Sequence, residues 1–295
     1  MIQSSLLAKV MRMAEQIVVE KYIEVQGQRM HYYEAGQGAP LVLLHGGGVD
    51  NAWLSWHAVI QPLAQLRRVI TPDLPGYGQS ARGTETLTME YYLRFLSAFL
   101  DALNLAQVGL GGLSLGGSIS LAFALQHPTQ VERLILADSY GLQNRIAYHN
   151  LSVLMCKHPW MLEAVWAPYR WSAALAKSSL RSLFHNPAHI SPEVEAAVVE
   201  LTRQPDSGRA FMEFQHDEAD YKGFKSYFME RLGEIICPTL IIHGENDNLV
   251  PLALAKLAHE RIAGSKLVVL PDCGHWSPGE QPELFAEAVK SWLAV

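Results

Sequence analysis

The stretch Val108-Gly-Leu-Gly-Gly-Leu-Ser114-Leu-Gly116-Gly117 decides how this chain folds. A short apolar run enters it, the apolar segment Ile119–Leu125 follows it, and Ser114 stands between them. Gly112 lies two positions before the serine and Gly116 two positions after. A serine held on a sharp strand-to-helix turn projects its hydroxyl out of the sheet, on a strained backbone with no room for side chains at the flanking positions. Glycine at both flanks removes those collisions. The helix that follows aims its free N–H groups at the hydroxyl, where they favour a developing negative charge. The stretch therefore predicts a strand–nucleophile–helix elbow with Ser114 at its tip. A second reading competes for the same residues. Gly109-x-Gly111 after a strand, with Asp138 ending the next strand, is part of a dinucleotide-binding pattern. The third position of that pattern is Ser114 rather than Gly or Ala, and the unit sits in mid-chain, so the serine reading is preferred.

Outward from the elbow, short apolar runs without alternation recur at Leu41–Leu44, Arg68–Thr71, Val108–Leu110, Leu134–Ala137, Leu240–Ile242 and Leu267–Leu270. Such runs suit strands buried on both faces. Helical spacing separates them: Tyr92, Phe95, Leu96, Phe99, Leu100 and Leu103 share one face, as do Phe285, Ala288, Val289 and Trp292. Strands alternating with helices imply right-handed crossovers and a mostly parallel α/β sheet. Residues 17–36 read as a leading hairpin turning at Gln26-Gly27-Gln28, with Met30–Tyr33 as its second strand. From about Gly141 to Gly233 no buried-strand run occurs. Helix formers and aromatics dominate there, with Pro159, Pro168, Pro187, Pro192 and Pro205 as breakers. A structureless loop of that length is implausible, so 141–233 is expected to be a helical insertion between two sheet strands.

A serine hydroxyl needs a base, and the base needs an orienting carboxylate. Ile241-Ile-His-Gly244-Glu-Asn-Asp247 is a strand running into a polar turn, and Val268-Val-Leu-Pro-Asp-Cys-Gly274-His275-Trp276 is the next strand running into a loop. Both turns leave a parallel sheet at the edge where the elbow lies. With Ser114, Asp247 and His275 in this order, the sequence resembles an α/β-hydrolase over nearly its whole length. The resemblance implies a catalytic triad of those residues, a core formed by 1–140 and 234–295, and a cap formed by 141–233. Glu245 and Asp138 are rival acids, because some members of the fold place the acid after the earlier strand. His45-Gly46-Gly47-Gly48 resembles the loop that gives one backbone N–H to the oxyanion. Gly47 is assigned that role, with Gly48 as the alternative, and Leu115 supplies the second donor. His45 is expected to be structural. Asp73-Leu-Pro-Gly-Tyr-Gly-Gln-Ser80 matches another family stretch and is expected to pack under the oxyanion loop.

The resemblance implies hydrolysis through an acyl-enzyme without cofactor or metal. Serine at position 114 argues against relatives that open epoxides or remove halide, which use a carboxylate there. Trp160, Trp166, Tyr169, Trp171 and Phe184 suggest an apolar roof, and Trp276, Gly48 and Trp166 are expected to touch substrate. Carboxylic esters of small to medium apolar acids or alcohols are the first reading. The alternative is cleavage of a carbon–carbon bond in a vinylogous diketone acid. The residues His45-Gly46-Gly47-Gly48 and His275-Trp276 resemble that subfamily, but Val49-Asp50 replaces its proline-glycine, and Gly112-Leu113-Ser114-Leu115 replaces its asparagine-containing elbow. Arg170 or Arg181 would then bind the carboxylate. A third class is a non-enzymatic receptor built on this fold. Eighteen per cent charged residues and a formal charge of -6 give no attraction to nucleic acid. No apolar run reaches the roughly 18 residues of a membrane span, and residues 1–16 lack a secretory h-region and read as a short amphipathic helix or frayed extension. Cys156, Cys237 and Cys273 are too few and too scattered for a disulfide framework, which fits a reduced cytoplasmic protein acting on a small molecule. His185 and His189 are a lone pair, expected on a helix surface and not at a metal.

Overall fold

The computed structural model describes residues 18–294, so the expected N-terminal helix or extension lies outside the described residues. β1 (Val19–Val25) and β2 (Gln28–Ala35) form the leading hairpin. Its turn is shorter than the sequence suggests. Gln26 (φ 51°) and Gly27 (φ 76°) both adopt left-handed backbone, and Gln28 already pairs with Val25. Two left-handed residues match the right-handed twist of the flanking strands.

β3 (Pro40–Leu44) leads through α1 (Ala52–Ala64) to β4 (Arg68–Pro72), and α2 (Met89–Ala102) leads to β5 (Val108–Leu113). The elbow follows, then α3 (Leu115–Gln126) and β6 (Val131–Ala137). Caps start both early helices: Asn51 accepts the N–H of Leu54, and Thr88 accepts that of Tyr91. After β6 come α4 (His149–Lys157), α5 (Pro159–Trp171), α6 (Ala173–Leu183), α7 (Pro192–Thr202) and α8 (Arg209–Glu218). A two-residue hairpin of β7 (Ala219–Asp220) and β8 (Gly223–Phe224) follows them. The chain re-enters the main sheet with β9 (Thr239–Gly244), α9 (Leu252–Arg261), β10 (Lys266–Leu270), α10 (Ser277–Glu280) and α11 (Pro282–Leu293). The prolines of the inserted stretch do more than break helices. Pro159 and Pro192 occupy first-turn positions of α5 and α7, where a missing N–H costs nothing.

The main sheet has eight strands in the order β1-β2-β4-β3-β5-β6-β9-β10. β1 and β2 are antiparallel, as are β2 and β4, and the remaining pairs are parallel. Both faces are covered, which explains the unalternating runs. Val42 and Leu44 of β3 point into a core with Tyr92, Phe99 and Phe123, while Leu41 and Leu43 point into one with Trp56, Leu63 and Phe285. The parallel strands bring β5, β9 and β10 to a common carboxyl edge, and the three loops carrying Ser114, Asp247 and His275 leave from it. No helix among the described residues is long and apolar enough to cross a membrane.

Phe285 on α11 is fully buried against Trp56 of α1, with ring centroids 6.0 Å apart. Phe285→Ala is expected to cost about 3–5 kcal/mol through lost burial and the cavity left behind. A lowered denaturation midpoint in urea, read by tryptophan fluorescence, checks this.

Candidate active site

Ser114 has φ 50° and ψ −111°, a backbone conformation that side-chain-bearing residues rarely adopt. Two glycines make it possible. A Cβ on Gly112 would lie 2.1 Å from the carbonyl carbon of Gly116, and one on Gly116 would lie 2.2 Å from the carbonyl oxygen of Leu44. The turn is pinned by the Ser114 N–H donating to Ala137 (2.9 Å) and by the Tyr140 N–H donating to the Ser114 carbonyl (3.0 Å).

The Ser114 hydroxyl lies 2.9 Å from Nε2 of His275, and Nδ1 of His275 lies 2.8 Å from Oδ2 of Asp247. The other Asp247 oxygen accepts the N–H groups of Leu249 (2.8 Å) and Val250 (2.9 Å), which fixes the carboxylate plane. Burial works against ionisation of Asp247, but the His275 hydrogen bond and charge and the Val250 N–H outweigh it and hold the carboxyl below its usual range. For His275 burial disfavours the charged ring, yet the hydrogen bond and charge of Asp247 prevail and raise its pKa. A carboxylate acceptor at Nδ1 places the proton there and leaves Nε2 facing the serine.

The rival acids sit elsewhere. Glu245 is exposed. Asp138 is buried, but its oxygens accept the backbone N–H of Gly244 (2.8 Å) and of Ser277 (3.0 Å), so it braces the ends of β6 and β9 against the segment after His275. Asp138, His243 and Asp247 place potential ligand atoms within 4.8 Å of one another. Each carboxylate oxygen there already accepts a hydrogen bond, and His243 Nε2 meets the Val250 carbonyl at 2.8 Å, so the cluster reads as a polar brace.

On the opposite wall, the Gly46 N–H donates to Asp50 and is unavailable to substrate. Gly47 follows it, close enough to the elbow that a Cβ would touch the Leu115 side chain at 3.4 Å. Leu115 is the first residue of α3, where backbone N–H groups lack helical partners. Gly48 (φ 81°) turns the loop away and faces Trp166. His45 is buried beneath: its Nε2 accepts the Leu74 N–H (3.0 Å), and Nδ1 donates to the Gly46 carbonyl (2.7 Å). Asp73 accepts the Ala52 N–H (2.8 Å), anchoring α1 just after the glycine loop.

A cavity of about 400 Å³ opens over Ser114 and His275. Its wall includes Gly47, Gly48 and Trp276 together with Trp166 and Tyr169 of α5, so the three expected substrate contacts all line it. The expected aromatic roof is narrower than the sequence suggests. Trp160 and Trp171 are 70% and 86% exposed, and Phe184 packs on Trp276 in the core. Neither expected carboxylate-binding arginine lines the cavity. Arg170 bonds Glu163 and the Ser207 carbonyl, and Arg181 bonds Glu195. His185 and His189 do not share a helix: His185 is in a loop, and His189 ends a 3-10 turn.

Glu280 is a residue that sequence reasoning does not find. Its buried carboxylate accepts the N–H of Gly274 (2.7 Å), His185 (3.0 Å) and Asn186 (2.6 Å), tying the His275 loop to the segment after α6. The His275 N–H adds a bond to Leu183, the last residue of α6 (2.8 Å). Glu280→Ala leaves the buried Gly274 N–H and the part-buried N–H groups of His185 and Asn186 without their acceptor and is expected to cost about 2–4 kcal/mol, with kcat falling more than KM rises. Denaturation and steady-state kinetics check both. The raised pKa of His275 has a defined sign. A protonated ring cannot take the serine proton, so kcat/KM is expected to be lost as pH falls, with a midpoint above that of an ordinary histidine. Asp247→Asn removes the charge that raises the pKa. It should move that midpoint down and lower kcat by about 10³–10⁴-fold, read from pH–rate profiles.

A family profile described as the alpha/beta hydrolase fold matches residues 39–282. Among curated relatives, the chain is 30% identical over 272 residues to the 2-hydroxy-6-oxo-2,4-heptadienoate hydrolase of Pseudomonas putida, covering 91% of this chain and 94% of that one. It is 31% identical over 284 residues to the 2-hydroxy-6-oxo-6-(2'-aminophenyl)hexa-2,4-dienoic acid hydrolase of Metapseudomonas resinovorans, covering 95% and 93%. Among solved structures, the serine hydrolase CarC of carbazole degradation superposes with a TM-score of 0.79 at 26% identity, covering 94% of this chain and 99% of that one. A mostly parallel sheet with a serine elbow, matched along nearly its full length by such relatives, leads to one conclusion: this chain belongs to the α/β-hydrolase fold family and is a hydrolase.

Proposed function

We propose that this hydrolase works through Ser114, Asp247 and His275 as nucleophile, orienting acid and base, and that it cleaves a carbon–carbon bond beside a ketone in a vinylogous diketone. The observation that carries the chemistry is the continuous hydrogen-bonded path from Asp247 through His275 to the Ser114 hydroxyl. His275 removes the hydroxyl proton as Ser114 Oγ attacks the carbonyl carbon. Negative charge on the carbonyl oxygen is received by the N–H groups of Gly47 and Leu115, preset donors whose removal typically costs about 10²–10³ in rate. The intermediate collapses, the leaving half takes the proton from His275, and water, activated by the same imidazole, releases the acid and restores the serine. Residues 141–233, with helices α4–α8, act as a cap over the core that carries the main sheet. Support for that cap comes from α5, α6, α7 and α8, all of which contribute to the cavity wall.

Support for the carbon–carbon bond comes from the relatives, which are named as hydrolases of 2-hydroxy-6-oxo dienoates and dienoic acids. A specific observation favours the second reading, cleavage of carboxylic esters. Among the described residues, the cavity wall is largely apolar and holds no lysine or arginine for a substrate carboxylate.

Ser114→Ala should keep the melting temperature and lose activity by about 10³-fold or more. The variant and the wild type are to be assayed on 4-nitrophenyl esters of graded chain length beside 2-hydroxy-6-oxo-2,4-heptadienoate and its methyl ester, with carbon–carbon cleavage read from loss of the dienone absorbance. Retained turnover in Ser114→Ala would falsify the nucleophile. A ranking with 4-nitrophenyl esters far ahead of both diketones would replace carbon–carbon cleavage by ester hydrolysis.

A further inference from the structure

Whichever bond breaks, one end of the substrate enters the cavity over Ser114, and the charge on its wall decides which ends are accepted. Trp166, Leu180, Leu183, Val198 and Phe211 make much of that wall apolar. Apart from the Tyr169 phenol, its ionisable groups are His275 and Asp50. Asp50 stands where the resembling subfamily has glycine, and it is bound into the glycine loop. Its Oδ2 accepts the Gly46 N–H (2.8 Å) and the Ser55 hydroxyl (2.7 Å), and its Oδ1 accepts the Asn51 N–H (2.8 Å). All three donors are neutral. His45 beside it does not supply a cation, because its Nε2 accepts the Leu74 N–H and its single ring proton faces the Gly46 carbonyl. Burial pushes the Asp50 carboxyl up, while these hydrogen bonds favour its ionised form. With His275 neutral, as a base must be, the wall offers an incoming carboxylate no cation in either protonation state of Asp50. In the ionised state it adds a like charge in a site of low dielectric.

We propose that this cavity takes substrates whose buried end is uncharged, such as an alkyl or aryl acyl group or a ketone-flanked chain, and that Asp50 is the residue that rejects an acid there. The proposal rests on the serine-hydrolase reading. It departs from the substrates named for the relatives, which are dienoates and dienoic acids.

The test compares 4-nitrophenyl hemisuccinate with its neutral methyl ester, using the full chain at near-neutral pH. The two differ at the far end of the acyl group by one methyl and one charge. The neutral ester is expected to lead in kcat/KM by about 100-fold. In Asp50→Asn that ratio should shrink about tenfold. Any damage to the glycine loop lowers both esters alike and cancels in the ratio. Inhibition by butylboronic acid against 3-carboxypropylboronic acid gives the same comparison without a variant, with the neutral boronate binding tighter by a similar factor. Esters within about threefold of each other overturn the proposal, as does an unchanged ratio in folded Asp50→Asn. Carbon–carbon cleavage of 2-hydroxy-6-oxo-2,4-heptadienoate well above that of its methyl ester also overturns it, while leaving carbon–carbon cleavage standing. Absence of both turnover and boronate inhibition in folded wild type removes the serine-hydrolase reading, and the proposal with it.

Discussion

The left-handed backbone of Ser114 is the constraint on which the site depends. It costs about 1–3 kcal/mol and persists because the surroundings leave it no alternative. The elbow is pressed from three sides at once. The end of β3 closes on Gly116, the first turn of α3 closes on Gly112, and bonds to Ala137 and Tyr140 hold the serine's own backbone. Because β3 is one of the pressing elements, the glycine loop that follows it is placed against the serine by the same packing. Ser114 and the glycine loop are thus set by one contact, and neither can drift without the other.

A second layer of order comes from buried carboxylates that accept backbone N–H groups. Asp247 holds its own turn, Asp138 joins β9 to the start of α10, Glu280 gathers Gly274 with His185 and Asn186, and Asp50 holds Gly46. Each such group would be expensive to bury alone, and each is made tolerable by two or more donors. They stiffen loops, which would otherwise be the most mobile part of the sheet's carboxyl edge.

The elbow, the order of strands and the pairing of Asp247 with His275 are legible in the sequence because each is carried by local pattern: glycine spacing, apolar runs, a strand end. The choice between Asp247, Asp138 and Glu245 is a matter of where three nearby carboxylates point, and only the fold decides it. Glu280 and Asp50 escape for a related reason. Glu280 follows a proline and a glycine in a short polar stretch that reads as surface, and its partners His185 and Asn186 are 94 or more positions away. The aromatic content of the insertion overstates the roof, since composition does not say which face of a helix Trp160 or Trp171 occupies. The relatives shift the balance towards a carbon–carbon bond from the ester reading favoured by sequence. The apolar wall, which sequence suggests only in outline, pulls partly back.

The bonds from Leu183 and Glu280 to the His275 loop give α6 a mechanical role. Its C-terminal end is a fixed post, so the helices over the cavity cannot lift as one rigid flap without dragging the imidazole off the serine. On the same cavity wall Val165 and Leu249 stand half in water, so solvent reaches the cavity there without that end of α6 moving.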